Sequence, residues 1–155
     1  MVRLEPAARD GRHLRIAVIR SRFNATITQR LLDGALAALR EAGVAPSRTH
    51  RIEVPGAVEL AFAADLAIRR YKVDAVVCLG AVVRGETDHY DYVCRIAADS
   101  ISRLAIERKI PIAFGVLTCA TMRQALARSG KGKSNRGRDA ALVALEMAQL
   151  VRRSR

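Results

Sequence analysis

The chain has 155 residues, half of them hydrophobic, with a formal net charge of +12, three Phe, three Tyr and no Trp. That size and apolar share suit one domain, here residues 1–155, built on an aliphatic core of Ala, Val, Leu and Ile. No apolar run is long enough to span a membrane, and three widely spaced cysteines (Cys78, Cys94, Cys119) without a C-x-x-C pair support neither a disulfide framework nor a zinc site.

In chain order, residues 14–19 form a short β-branched apolar run, read as a strand. Residues 27–42 place Ile27, Leu31, Ala35, Leu36 and Leu39 at helical spacing, with Gly43 as the stop. A second strand is predicted over 49–54, closed by Pro55-Gly56, and an Ala-rich helix over 57–71. Residues 74–83 are apolar throughout, as a strand buried on both faces should be. A helix follows over 88–109, then a fourth strand over 112–117. Thr121-Met122-Arg123-Gln124 matches a capping box and opens a helix ending near Gly130. Residues 129–138 read as a loop rich in Gly, Lys and Arg, and 139–152 as the last helix. Residues 1–12 have no partner in this pattern and are expected to be an arm packing on a neighbouring subunit. The N-terminal segment lacks the apolar centre of a signal peptide, so a cytoplasmic protein with reduced thiols is expected.

Strands alternating with helices mean βαβ units and a mainly parallel four-stranded sheet. The expected fold is a doubly wound α/β three-layer sandwich. Ligands of such folds bind beyond the carboxyl ends of the strands. That rule nominates the loops at 21–26, 55–59, 81–89 and 118–121.

Those loops hold the chemistry. Gly80 to Thr87 has the two glycines of a phosphate loop, but Glu86 stands where that pattern requires Lys and would repel a triphosphate. Nucleotide hydrolysis is rejected on this ground. A helix starting near Thr87 offers backbone N–H groups to one phosphate; a plain glycine turn is the alternative. His89 sits at a strand-to-helix junction, where it is either a proton shuttle or a helix-terminal surface residue. Cys94 is five residues further on and points to another helix face, which opposes a Cys–His nucleophilic pair. One histidine with loosely spaced carboxylates (Glu86, Asp88, Asp91) is a poor metal-ligand set, so no metal is expected. Phe23 either caps the core or offers a flat face to a ring. Glu59 either accepts from ligand hydroxyls or favours a helix N-terminus. Lys131, Lys133, Arg136 and Arg138 form a basic stretch, a solvated turn or a phosphate clamp. No aromatic-studded basic motif accompanies the positive charge, so nucleic acid is a poor fit as the partner.

Taken together, Ser21-Arg22-Phe23-Asn24, Val54-Pro55-Gly56-Ala57-Val58-Glu59, the stretch from Leu79 to Val93, Phe114-Gly115-Val116-Leu117-Thr118, Gln124 to Gly130 and Asn135-Arg136-Gly137 resemble the lumazine synthases of riboflavin biosynthesis. The likeness runs from Leu14 to Leu150 without a large gap. It implies a flavodoxin-like fold and a cofactor-free transferase. Such an enzyme condenses 5-amino-6-(D-ribitylamino)uracil with 3,4-dihydroxy-2-butanone 4-phosphate, giving 6,7-dimethyl-8-ribityllumazine, phosphate and water.

Carried over residue by residue, the resemblance makes His89 the proton-transfer residue and gives Phe23, beside Asn24, the pyrimidine to stack on. Ala57, Val58 and Glu59 would line the ribityl chain, and Ala81, Val82 and Val83 the ring pocket. Glu86 and Thr87 would present N–H groups to the phosphate, with Arg128 as its bidentate partner and Arg136 beside it. Phe114 and Arg128 would come from an adjacent subunit of a homopentamer. A short connection from Arg128 to Asp139 leans towards pentamers assembled into an icosahedral 60-subunit shell, with riboflavin synthase or acidic cargo as further partners. The chain departs from the family pattern at Arg136, where Lys is frequent, at Ala81, where a hydroxyl residue is frequent, and at Val58, where an aromatic is common. Arg keeps the charge but cannot readily act as a base. The competing readings are a non-catalytic flavin or lumazine carrier on the same fold, and a basic nucleic-acid-binding assembly with a vestigial pocket. His89 together with Arg128 favours turnover, because a carrier of an unphosphorylated flavin needs neither.

Overall fold

Two strands that are apolar on both faces lie side by side at the centre of the sheet. They are β1 (Ile16–Ser21) and β3 (Ala75–Val83), paired in parallel from Ile16↔Ala75 to Arg20↔Leu79. The computed structural model describes residues 10–155. The edge strands are β2 (Thr49–Val54) and β4 (Ile112–Cys119), giving the order β2-β1-β3-β4 with every pair parallel. Around the sheet lie α1 (Ala25–Glu41), α2 (Leu60–Tyr71), α3 (His89–Arg108), the short α4 (Met122–Ala127) and α5 (Arg136–Arg153).

Side chains alternate along a strand, so each central strand feeds two cores. Ile16, Val18, Val77 and Leu79 face α1 and α5, where they meet Leu31, Leu39 and Leu145. Ala17, Ile19, Val76 and Cys78 face α2 and α3, where they meet Leu60, Ala64 and Ile101. Full burial pushes the Cys78 thiol up to about 12, which fits an inert packing group. The result is the expected doubly wound, flavodoxin-like sandwich, with a sheet that is parallel throughout.

Several boundaries differ from the sequence pattern: β1 is shifted two residues on, to Ile16–Ser21, the helix after Thr121 stops at Ala127 rather than near Gly130, and three others have a visible cause. The helix read over 57–71 is broken: Ala57–Glu59 is a 3-10 turn, and α2 starts at Leu60. Glu59 causes the break by folding back, its Oε2 accepting from the Gly56 N–H at 2.9 Å. Strand β4 runs two residues further, to Cys119, because it stays in register with the end of β3 at Val83↔Cys119. Helix α5 starts at Arg136, not 139, because Asn135 caps it, its Oδ1 accepting from the Arg138 N–H at 3.0 Å. Most of the predicted arm lies outside the described residues. Within its described part, the Gly11 N–H donates to the Ala42 carbonyl of the same chain at 2.7 Å.

Helices α1 and α5 touch backbone to backbone. A Cβ on Gly137 would lie 2.0 Å from the Leu31 carbonyl oxygen, and one on Gly34 would lie 2.2 Å from Asn135 Oδ1. Gly137→Ala tests this contact. Alanine favours a helix interior by about 1 kcal/mol over glycine, but overpacking typically costs ~1–3 kcal/mol, and here the clash is with a carbonyl that cannot rotate away. The expected outcome is a lower urea midpoint for Gly137→Ala than for the parent; an unchanged midpoint would mean that the helices can part.

Candidate functional site

The strand order reverses between β1 and β3, so their connections leave in opposite directions and open a crevice at their carboxyl ends. A cavity of about 570 Å³ occupies this position, walled by Phe23, the segment 55–59, the end of β3, and Gly85, Thr87, His89, Tyr90 and Val93.

Each wall has a local cause. The β1–α1 loop is pinned to the end of β2 by two backbone bonds, Arg22 N–H to Val54 O at 2.8 Å and Phe23 N–H to Pro55 O at 3.1 Å. Asn24 then takes a left-handed conformation, φ 57°, which Asn tolerates better than most residues. Its Nδ2 donates to the Ala81 carbonyl at 2.8 Å. The side chain of Asn24 therefore ties the loop to β3 and stands outside the cavity lining. Phe23 is 72% exposed, so it caps no core and presents its ring at the cavity rim. Ala57 is buried, Val58 is exposed, and Glu59 lines the cavity while one of its oxygens holds Gly56 N–H. Ala81 is buried, and Val82 and Val83 are half-buried.

Beyond β3, the Arg84 N–H donates to Cys119 O at 2.9 Å and extends the β3–β4 ladder by one bond. Gly85 to Asp88 then turn exposed into α3, whose first residue is His89. The His89 N–H donates to Thr87 Oγ1 at 3.3 Å. Glu86 is exposed and outside the lining, whereas Thr87 is part of it. The Arg84 guanidinium covers the Tyr90 ring, 4.5 Å from its centroid, and reaches Asp91 Oδ1 at 3.4 Å. Partial burial raises the Cys94 thiol above its ordinary range, the opposite of what a nucleophile needs.

Three of the residues singled out from the sequence are elsewhere. Phe114, Arg128 and Arg136 line a second hollow of about 360 Å³ along β4 and the start of α5. Arg128 Nη1 donates to the Gln124 carbonyl at 3.1 Å, and Arg136 pairs with Asp139 at 3.1 Å. Within one chain, then, the aromatic and histidine wall and the arginine wall belong to different faces. Asn135 was not assigned a role from the sequence beyond its place in a motif. It is 3% exposed and binds four backbone groups, Nδ2 reaching the carbonyls of Arg30, Ser129 and Gly130 and Oδ1 the N–H of Arg138. The sequence signal for it was that of a helix N-cap, nothing more. Among the described residues, no cluster of three or more His, Cys, Asp or Glu side chains is arranged to hold a metal, and no helix is long and apolar enough to cross a membrane.

This geometry coincides with a family. The sequence model for 6,7-dimethyl-8-ribityllumazine synthase matches residues 13–152. The chain belongs to the 6,7-dimethyl-8-ribityllumazine synthase family. A relative of that name from Coxiella burnetii (strain CbuG_Q212) is 44% identical over 138 residues, covering 89% of this chain and 91% of its own. Another, from Desulfatibacillum aliphaticivorans, is 44% identical over 137 residues and covers 88% of each chain. The matched span takes in every wall of both hollows, from Phe23 to Val143.

Because the Phe23 ring is exposed, Phe23→Ala should change folding stability by no more than about 0.5 kcal/mol, as surface substitutions do, and not by the ~3–5 kcal/mol of a core Phe. Urea unfolding of the variant measures this, and a large loss would mean that the ring is structural.

Proposed function

We propose that the chain condenses 5-amino-6-(D-ribitylamino)uracil with 3,4-dihydroxy-2-butanone 4-phosphate to 6,7-dimethyl-8-ribityllumazine, releasing phosphate and water. The observation that carries this reading is the cavity at the β1/β3 crevice, with an exposed aromatic ring on one wall and a histidine at a helix N-terminus on another. Family membership supplies the substrates.

Phe23 stacks on the pyrimidine. Ala81, Val82 and Val83 offer the ring a strand end whose outward backbone groups can bind its polar edge, and Asn24 acts by holding Ala81 in place. Ala57, Val58 and Glu59 run along the ribityl chain, where the carboxylate oxygen of Glu59 not spent on Gly56 accepts from its hydroxyls. The phosphate lies at the start of α3, against the N–H groups of Glu86 and Thr87, where the helix dipole favours an anion. Arg128 pairs with it as a two-pronged donor, and Arg136 adds charge. Phe114 closes the apolar side.

The chemistry needs only proton movement. The amine adds to the ketone and loses water, phosphate leaves, the enol tautomerises, and a second amine-to-carbonyl addition closes the ring with loss of another water. His89 is the group that can give and take these protons near neutral pH. No cofactor is required by any step.

Since the arginine wall of one chain lines a hollow separate from the cavity, the reading includes an oligomer in which the β4 edge of one copy completes the cavity of the next. A homopentamer is the assembly we favour, with the icosahedral shell as its higher form and the cytoplasm as its location.

Mixing purified protein with both substrates and following lumazine absorbance against the uncatalysed reaction tests the function. Saturation in both substrates is expected; tight lumazine binding without acceleration would make the chain a carrier. Holding two reactants in attack geometry is worth about 7–11 kcal/mol, against ~10²–10⁴-fold for a proton shuttle. His89→Ala should therefore lower kcat by on the order of 10²-fold and leave measurable catalysis; a full rate would remove the proton-transfer role. Arg128→Ala should instead raise KM for the phosphorylated ketone by about 10- to 100-fold, as losing a charge-assisted hydrogen bond of roughly 1.5–3 kcal/mol does. Steady-state kinetics with each substrate varied in turn separates the two.

A further inference from the structure

We infer that Asn135 is a positioning residue for the phosphate, setting the relative placement of Arg128 and Arg136. The inference rests on the function proposed above and goes beyond it to the residue that holds its anion-binding wall together.

The two arginines are joined through their own backbones: the Arg136 N–H donates to the Arg128 carbonyl at 2.8 Å. Between them the chain makes a loop whose only deeply buried amide side chain is Asn135. Nδ2 donates to Arg30 O on α1 at 2.9 Å and to Gly130 O at 2.9 Å, with Ser129 O at 3.4 Å. Oδ1 accepts from Arg138 N–H at 3.0 Å, and the Asn135 carbonyl accepts from the N–H of Asp139, the residue that pairs with Arg136. One side chain thus ties together the loop leaving Arg128, the helix starting at Arg136, and α1 beneath both.

A cap alone does not require asparagine. Ser, Thr or Asp would accept from Arg138 N–H equally well. A hydroxyl has one proton, carried on the accepting oxygen itself, whereas an amide accepts with one atom and donates two N–H groups to carbonyls from another. Aspartate would turn a buried carboxylate oxygen towards three carbonyl oxygens. The slot is matched to the side chain from α1 as well: Gly34 leaves room that any Cβ would close, 2.2 Å from Oδ1.

Asn135→Ser keeps an accepting cap and removes the two amide N–H donors that reach Arg30 and Gly130. Inorganic phosphate binding by titration calorimetry and KM for each substrate are the readouts. The expected result is about tenfold weaker phosphate binding and about tenfold higher KM for the phosphorylated ketone, comparable to losing one hydrogen bond to a charged group, with KM for the pyrimidine amine unchanged. In an Arg128→Ala background the same substitution should add little, because both act on one contact. An equal penalty in both backgrounds, or a parallel rise in both KM values, would make Asn135 a structural cap and overturn the inference. Gly34→Ala, which crowds Asn135 from α1 with a good helix former, should reproduce the split; loss of folding in both variants would also overturn it. If the parent protein binds phosphate but turns nothing over, the proposed reaction fails, and the calorimetry still decides the role of Asn135.

Discussion

The structure hangs on the parallel pairing of β1 and β3. Both strands are buried on both faces, so the sheet cannot be stable until helices cover each side. Crossovers of parallel strands are right-handed, so moving outward from β1 to β2 through α1 and from β3 to β4 through α3 places α1 and α3 on opposite faces. A crevice between β1 and β3 is then unavoidable. Arg20 shows how tightly this centre is packed. It lies in β1 at 8% exposure, and its charge is accommodated by Glu53 of β2 at 2.9 Å and the hydroxyl of Thr28 in α1 at 3.2 Å. A buried cation needs such partners, and these two also lock β2 and α1 against the strand whose end at Ser21 leads into Phe23.

The two walls of the proposed site are supported differently. The ring-binding wall stands on strand ends and on backbone bonds that continue the ladders, at Arg22, Phe23 and Arg84. Strand ends of a buried sheet are among the stiffer platforms a fold provides. The anion-binding wall stands on the six-residue helix α4 and the loop after it, at the sheet edge. Isolated helices of that length have no stability of their own. Thr121 and Gln124 make a capping box at its start, Gln124 Oε1 accepting from Ala120 and Thr121 N–H groups, and Asn135 holds its far end. Polar side chains replace apolar burial as the means of fixing geometry, a solution that fits the proposed role of this surface in meeting a charged ligand.

What was legible in the sequence follows the same division. Strands and helices came from short-range periodicity: residues 49–54 and the capping box at Thr121 stand where the pattern put them. The loop residues stood out because aromatics and histidines are scarce. What could not be read were the interactions that join distant segments. The bond from Asn135 to Arg30 spans 105 residues, and the glycines at 34 and 137 look like weak points in their helices until the helices meet. Glu59 was readable as a helix-start carboxylate or as a ligand group, and the structure has it bonded to Gly56 without removing the second role. The division of the site residues between two faces has no signal in a single chain's periodicity at all.

His89 itself is held lightly. Its backbone is placed by Thr87, and its imidazole is exposed. The rigidity comes from the next residues: Arg84, fixed by its N–H on Cys119, covers Tyr90 and reaches Asp91, so the first turn of α3 is clamped to the ends of β3 and β4. A cation over a ring near the surface is worth only about 0.5–1 kcal/mol, but it acts here on the turn that points the histidine. A firmly anchored turn carrying a free imidazole suits the role proposed for His89, in which protons move at several atoms in succession. A histidine locked to one partner would serve one of those transfers and obstruct the others.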